Sequence, residues 1–197
     1  GELFALEEDE HGSYLFNSKD LRADEQVEQL INVGVDSLKI EGRTKSPYYV
    51  ARTAQVYRRA IDDAQAGRPF NAELLGELDG LANRGYTAGF LRRHTPASMQ
   101  NYQQGTSVGE NQQLVGEVLQ QLSASSLLID VKNRFTQSDQ LLLLTPTGNI
   151  RFTPIQLLNK NDQPVSVAPG SGHIIKLQLP FEINGRDAML VKIHGLA

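Results

Sequence analysis

Residues 37–46 read Ser-Leu-Lys-Ile-Glu-Gly-Arg-Thr-Lys-Ser, and a period-two alternation would set Leu38 and Ile40 on one face and Lys39, Glu41 and Arg43 on the other. A carboxylate between two cations on one strand face could activate a water or hold a charged substrate, so Lys39, Glu41 and Arg43 are the candidate catalytic residues. The same pattern also suits an internal Lys–Glu pair whose charges satisfy each other. Asn17, Ser18, Lys19 and Asp20 occupy the corresponding place after the preceding strand-like run, and with Lys45 they are the candidate substrate-binding residues. Ser18 and Asp20 are equally ordinary turn or cap residues. A third cluster, Arg84, Tyr86, Arg92 and Arg93, lies with Phe90 and His94 in a stretch free of carboxylates. Arginine on phosphates with an aromatic stacked on a base would make it an RNA-binding element, and cations at a helix C-terminus are its alternative.

Other chemistries are excluded by composition. The chain has no cysteine, which removes disulfides, a thiol nucleophile, and zinc or iron–sulfur sites built on its own thiolates. His11, His94, His173 and His194 have no metal-ligand spacing, and no Ser-His-Asp order can be defended. A net charge of −4 gives no global basic field, so nucleic-acid contact requires a local patch. The acidic excess lies in residues 1–105, with 12 Lys and Arg against 16 Asp and Glu, and Glu7 to Glu10 read as a solvated loop or hairpin tip.

The elements that must position these residues change character along the chain. Tyr14 to Asn17 is a β-rich run. Val27, Leu30 and Ile31 then recur at helical spacing, with Asp24 as N-cap and Gly34 as left-handed C-cap, and residues 35–40 are β-rich again. Ser46-Pro47 opens a second helix with Val50, Ala54, Tyr57, Ile61 and Ala64 on one face, stopped by Gly67 and Pro69. Asn71 caps a third carrying Leu74, Leu75, Leu78 and Leu81. Alternating β and α implies parallel strands, and two such strands alone cannot cover both faces of a sheet. Residues 1–105 therefore read as the last strand–helix units of a βα (TIM-type) barrel, with an open doubly wound sheet as the alternative on pattern alone. The polar stretch 101–107 reads as a linker. Beyond it, short strands at 114–119, 126–131, 140–145, 150–153, 165–167, 173–179 and 189–193 alternate with turns, so residues 106–197 read as a small C-terminal β-barrel. No apolar run is long enough for a membrane span, and no secretory signal opens the chain. It reads as the C-terminal portion of a longer cytoplasmic protein, and the exposed edges of a partial barrel imply self-association.

Tyr14 to Leu21, residues 37–46, Tyr57 to Asp62 and Asn83 to Thr87 together resemble the C-terminal half of the collagenase-like peptidase family, in its tRNA-hydroxylating branch. The resemblance implies a βα-barrel followed by a β-barrel and a prephenate-dependent role in hydroxylating the wobble uridine of tRNA. It also implies an iron–sulfur cluster on cysteines of an N-terminal part that this chain lacks. On that reading the chain contributes a barrel rim and an RNA-binding β domain, is inactive alone, carries no cofactor, and has as partners tRNA and the N-terminal barrel portion. The alternatives are a peptidase, with Glu41 activating a water or His94 as base, and a non-catalytic protein-interaction module.

Overall fold

The computed structural model describes residues 7–9, 12–14, 19–42, 45–81, 85–91 and 112–194. They form a mixed α/β structure in two compact units that do not follow chain order: residues 42–55 group with 110–197, and the remainder forms the first unit.

In the first unit, β1 (Glu7–Asp9) and β2 (Gly12–Tyr14) make an antiparallel hairpin, so Glu7 to Asp9 form a strand in place of the expected loop or hairpin tip. β3 (Asp20–Leu21) pairs in parallel with β4 (Tyr86–Thr87), the two being separated in sequence by all the helices. A 3₁₀ turn at Asp24–Gln26 leads into α1 (Val27–Asn32). Gly34, at φ +87°, ends α1 as expected: its N–H donates to Ile31 O and that of Val35 to Leu30 O, the paired bonds of a Schellman motif. Gly67 closes α2 (Pro47–Gln65) with the same pair of bonds, and Ser46 Oγ caps its start by accepting from Tyr49 N at 3.2 Å. Before α3 (Glu73–Asp79), Asn71 Oδ1 accepts from Glu73 N at 2.9 Å. The buried apolar residues here include Val27, Val56, Ala60, Leu74, Leu78 and Leu81.

Three expectations are corrected. Residues 35–40 form no strand, because no neighbouring strand among the described residues pairs with them. Asp24 does not cap α1: the 3₁₀ turn places it inside the first turn, behind Ala23, with no side-chain cap bond. The inward row of α2 is not Val50 and Ala54, for Val50 is 49% exposed; it is Tyr48, Arg52, Val56 and Ala60, four residues apart, so polar Arg52 stands where an apolar reading would not place it.

The second unit holds eight antiparallel strands in the order β11-β10-β13-β6-β5-β14-β8-β9, namely β5 (Gln112–Ser123), β6 (Ser126–Val131), β8 (Leu141–Thr145), β9 (Gly148–Phe152), β10 (Gln156–Leu158), β11 (Pro164–Val165), β13 (His173–Gln178) and β14 (Met189–Ile193). β7 (Phe135–Thr136) and β12 (Val167–Ala168) form a separate pair. The sheet does not close: β11 and β9 are its edges among the described residues. It curves round one core nonetheless, since Phe152 near one edge and Leu157 near the other join the same buried cluster as Phe135, Ile129, Leu143 and Leu177. Strict alternation on β6, with Leu127, Ile129 and Val131 buried, shows that face directly.

Leu142 and Leu144 point away from that core yet are only 6% and 4% exposed. Directly paired residues share a face, so the register sets Val191 and Met189 beside them, with Asn149 across from Leu144 and Gln112 across from Ile193. Tyr48 donates to Gln112 Oε1 at 2.7 Å. Gln55 donates to Thr145 O at 2.9 Å and meets Asn149 amide to amide at 2.9 and 3.0 Å. The first half of α2 therefore lies over this second face, and β8 reads as an uninterrupted run of leucine because both its faces are covered.

Candidate functional site

The parallel pair brings two of the sequence clusters together. Asp20 N donates to Gly85 O at 2.9 Å and Arg22 N to Thr87 O at 2.8 Å, and a Cβ built on Gly85 would meet the Lys19 stem at 3.5 Å. Lys19 and Asp20 thus stand alongside Gly85 and Tyr86. They lie at the N-terminal end of β3, whereas Arg22 and Asp24, just past its C-terminal end, meet Asp79 and Tyr86 in a polar cluster that the sequence reading missed. Arg22 is its hub: Nη1 donates to Asp79 Oδ1 at 2.7 Å, Nε is 3.4 Å from Asp24 Oδ1, and the guanidinium lies 4.6 Å from the centre of the Tyr86 ring. Tyr86 also donates its hydroxyl to Leu78 O at 2.8 Å, and Tyr57 Oη accepts from Ala23 N at 2.7 Å.

Asp24 is 1% exposed, and neither carboxylate oxygen reaches a hydrogen-bond partner among the described residues; the N–H groups of Asp24 and Glu25 face it without bonding geometry. Burial raises its pKa above the ordinary carboxylate value, partly offset by the Arg22 charge. Burial likewise raises the Tyr57 phenol, against the Ala23 N–H that favours its charged form. No single-segment pattern could have announced this cluster, because Arg22, Tyr57, Asp79 and Tyr86 come from four separate stretches of sequence.

The remaining candidates lie elsewhere. Lys39 and Glu41 are 84% and 52% exposed and form an ion pair at 3.6 Å, which corrects the expectation that they point inward from a strand. Lys45 lies over the Tyr49 ring at 4.5 Å. Asn17, Ser18, Arg43, Arg84, Arg92 and Arg93 lie outside the described residues.

In the sheet unit most cations are matched. Lys132 bonds both Glu117 (3.2 Å) and Asp130 (3.0 Å), Lys192 bonds Asp139 (2.9 Å), and Lys176 bonds Asp162. Burial would raise the Asp139 carboxyl, but the Lys192 ammonium and the Thr136 N–H at 2.7 Å prevail and hold it below the usual value. Arg134, Arg151 and Lys160 form no ion pair among the described residues.

An iron–sulfur cluster takes thiolate ligands, and this chain has none; nor do the described residues gather three His, Cys, Asp or Glu side chains able to hold a metal. The residues present do not fit such a group. No helix among the described residues is long and apolar enough to cross a membrane.

The chain belongs to peptidase family U32: residues 2–101 match the family itself and residues 110–190 its C-terminal domain. It is 52% identical to tRNA hydroxylation protein P of Escherichia coli over 192 residues, covering 98% of this chain and 42% of that protein. It is 51% identical to the protein of the same name from Haemophilus influenzae over 186 residues, covering 94% and 40%. A shorter match of 89 residues, 32% identical, covers 43% of this chain and 21% of a Porphyromonas gingivalis protein named collagenase. The chain thus spans about two-fifths of the length of the tRNA hydroxylation proteins it matches.

Proposed function

We propose that this chain is the C-terminal part of a cytoplasmic tRNA-hydroxylating protein. Its first unit would supply a piece of a βα-barrel rim, and its sheet unit would belong to a small β-barrel domain. The observation that carries the reading is the 52% identity to a tRNA hydroxylation protein across nearly the whole chain. The parallel pair β3–β4 supports it, since Arg22 and Asp24 follow the C-terminal end of β3, the side where barrel sites lie, whereas Lys19 and Asp20 stand at its N-terminal end. The substrate would be a wobble uridine, and any iron–sulfur cluster would take its thiolates from outside this chain. Lys39, Glu41, Arg43 and Lys45 remain proposed contributors. RNA contact is assigned to Arg84, Arg92 and Arg93 and to the sheet unit as an RNA-binding β domain, with Tyr86 acting through its packing on Arg22.

Mass spectrometry of tRNA nucleosides from cells lacking the full-length protein tests this reading: a hydroxylated uridine should vanish and return on complementation. Unchanged nucleosides would overturn it. Replacing Arg84, Arg92 or Arg93 with Ala in that protein should each lower the slope of log affinity for tRNA against log salt by about one. The collagenase-named relative favours a second reading, peptide hydrolysis. That reading requires cleavage by the purified protein that disappears with Glu41→Gln.

A further inference from the structure

Asn184-Gly185 is the only Asn-Gly pair in the chain, and it precedes β14 in an irregular segment laid against the sheet. Gly185 is required there by close approach, for a Cβ would meet Leu127 Cδ2 at 2.7 Å. The fold therefore places after an exposed asparagine the residue that least hinders attack by its own backbone nitrogen. Two contacts oppose that attack. Gly185 N–H donates to Gln121 Oε1 at 3.1 Å, while Gln121 Nε2 donates to Ile183 O at 2.7 Å, so one side-chain amide brackets the segment as a neighbouring strand would. Asn184 Oδ1 accepts from Arg186 N at 3.1 Å, fixing the side chain in an Asx turn.

We propose that Asn184 is a spontaneous modification site of this protein, and that Gln121 is the residue that holds it unreacted. In the reaction Gly185 N gives its proton to solvent base and forms a bond to Asn184 Cγ. The Cγ–Nδ2 bond breaks, ammonia leaves, and the succinimide adds water to become aspartate or isoaspartate; no oxidant or reductant is needed. While Gly185 N–H is held by Gln121 Oε1, the nitrogen can neither lose its proton nor turn toward Cγ. The product carries a new negative charge, and its isoaspartyl form lengthens the backbone between residues 184 and 185 by one atom.

The test is peptide mapping by mass spectrometry of the 197-residue chain after incubation at mildly alkaline pH. The folded wild type should convert slowly at Asn184, and the same chain in denaturant quickly. Folded Gln121→Ala should convert about 3- to 10-fold faster than wild type, the factor expected for one lost hydrogen bond. Gln121→Glu, which keeps an acceptor for Gly185 N–H but loses the donor to Ile183 O, should fall between the wild type and Gln121→Ala. Conversion at Asn161, read from the same digests, separates local release from unfolding. If Gln121→Ala accelerates both sites equally, or if folded and denatured wild type convert at one rate, the proposal is overturned.

Discussion

The two units hold their shape by different means. The sheet unit buries one continuous apolar cluster and matches its charges at the surface. The first unit buries fewer large side chains and ties its segments with polar contacts: Arg22 to Asp79 and Tyr86, Tyr57 to Ala23, and Arg59 to Glu77 at 2.6 Å. Apolar packing is indifferent to protonation, whereas directional polar contacts specify position and respond to charge. The unit that carries the candidate site is therefore the one whose geometry depends most on a few named groups.

The largest effect expected is from Phe135→Ala. The ring is fully buried at the centre of the cluster, so its loss should lower unfolding free energy by about 3–5 kcal/mol in a urea titration. A change under about 1 kcal/mol would mean the sheet does not depend on that core. Next is Gln55→Ala, which leaves Asn149 without its amide partner and should cost about 1–3 kcal/mol. An unchanged midpoint would show that the first half of α2 is not anchored to the sheet.

Acid should then separate the units by sign. Asp24 has a folded pKa above its ordinary value of 3.8, so its contribution to stability is greatest below that value and is lost as pH rises through the folded pKa. Asp24→Asn should accordingly stabilise the chain at neutral pH, with the gain shrinking toward pH 3.8. Asp139 has a lowered pKa, so its contribution is present above 3.8 and lost as pH falls below it. Asp139→Asn should destabilise at neutral pH. Denaturation midpoints across pH would settle both signs; a shared sign would erase the contrast. Smallest is Lys132→Ala, which exposes Glu117 to Asp130, like charges directly opposed across β5 and β6. It should show mainly as a loss of stability relieved by added salt.

Much of this was legible locally. Ser46-Pro47, Gly34, Gly67 and Asn71 act as helix signals because caps depend on a few consecutive residues. The strands at 126–131, 173–178 and 189–193 follow from alternation and turns, while 135–136 and 156–158 were too short to signal themselves. What failed was what depends on partners distant in sequence. Lys39 and Glu41 were placed by a strand that requires neighbours. Asp20 and Tyr86 were known as separate motifs, but their adjacency, and the Arg22 hub, arise only when β3 meets β4. The division of α2 was hidden because Arg52 and Thr53 interrupt its buried face with polar residues.

The order of segments along the chain gives β8 a further property. During synthesis residues 47–55 leave the ribosome well before Leu141 to Leu144, so the shield for that leucine run is already present when the run emerges. Rearranging the chain so that residues 42–55 are made last should leave the run bare for the interval between, and yield should fall through aggregation.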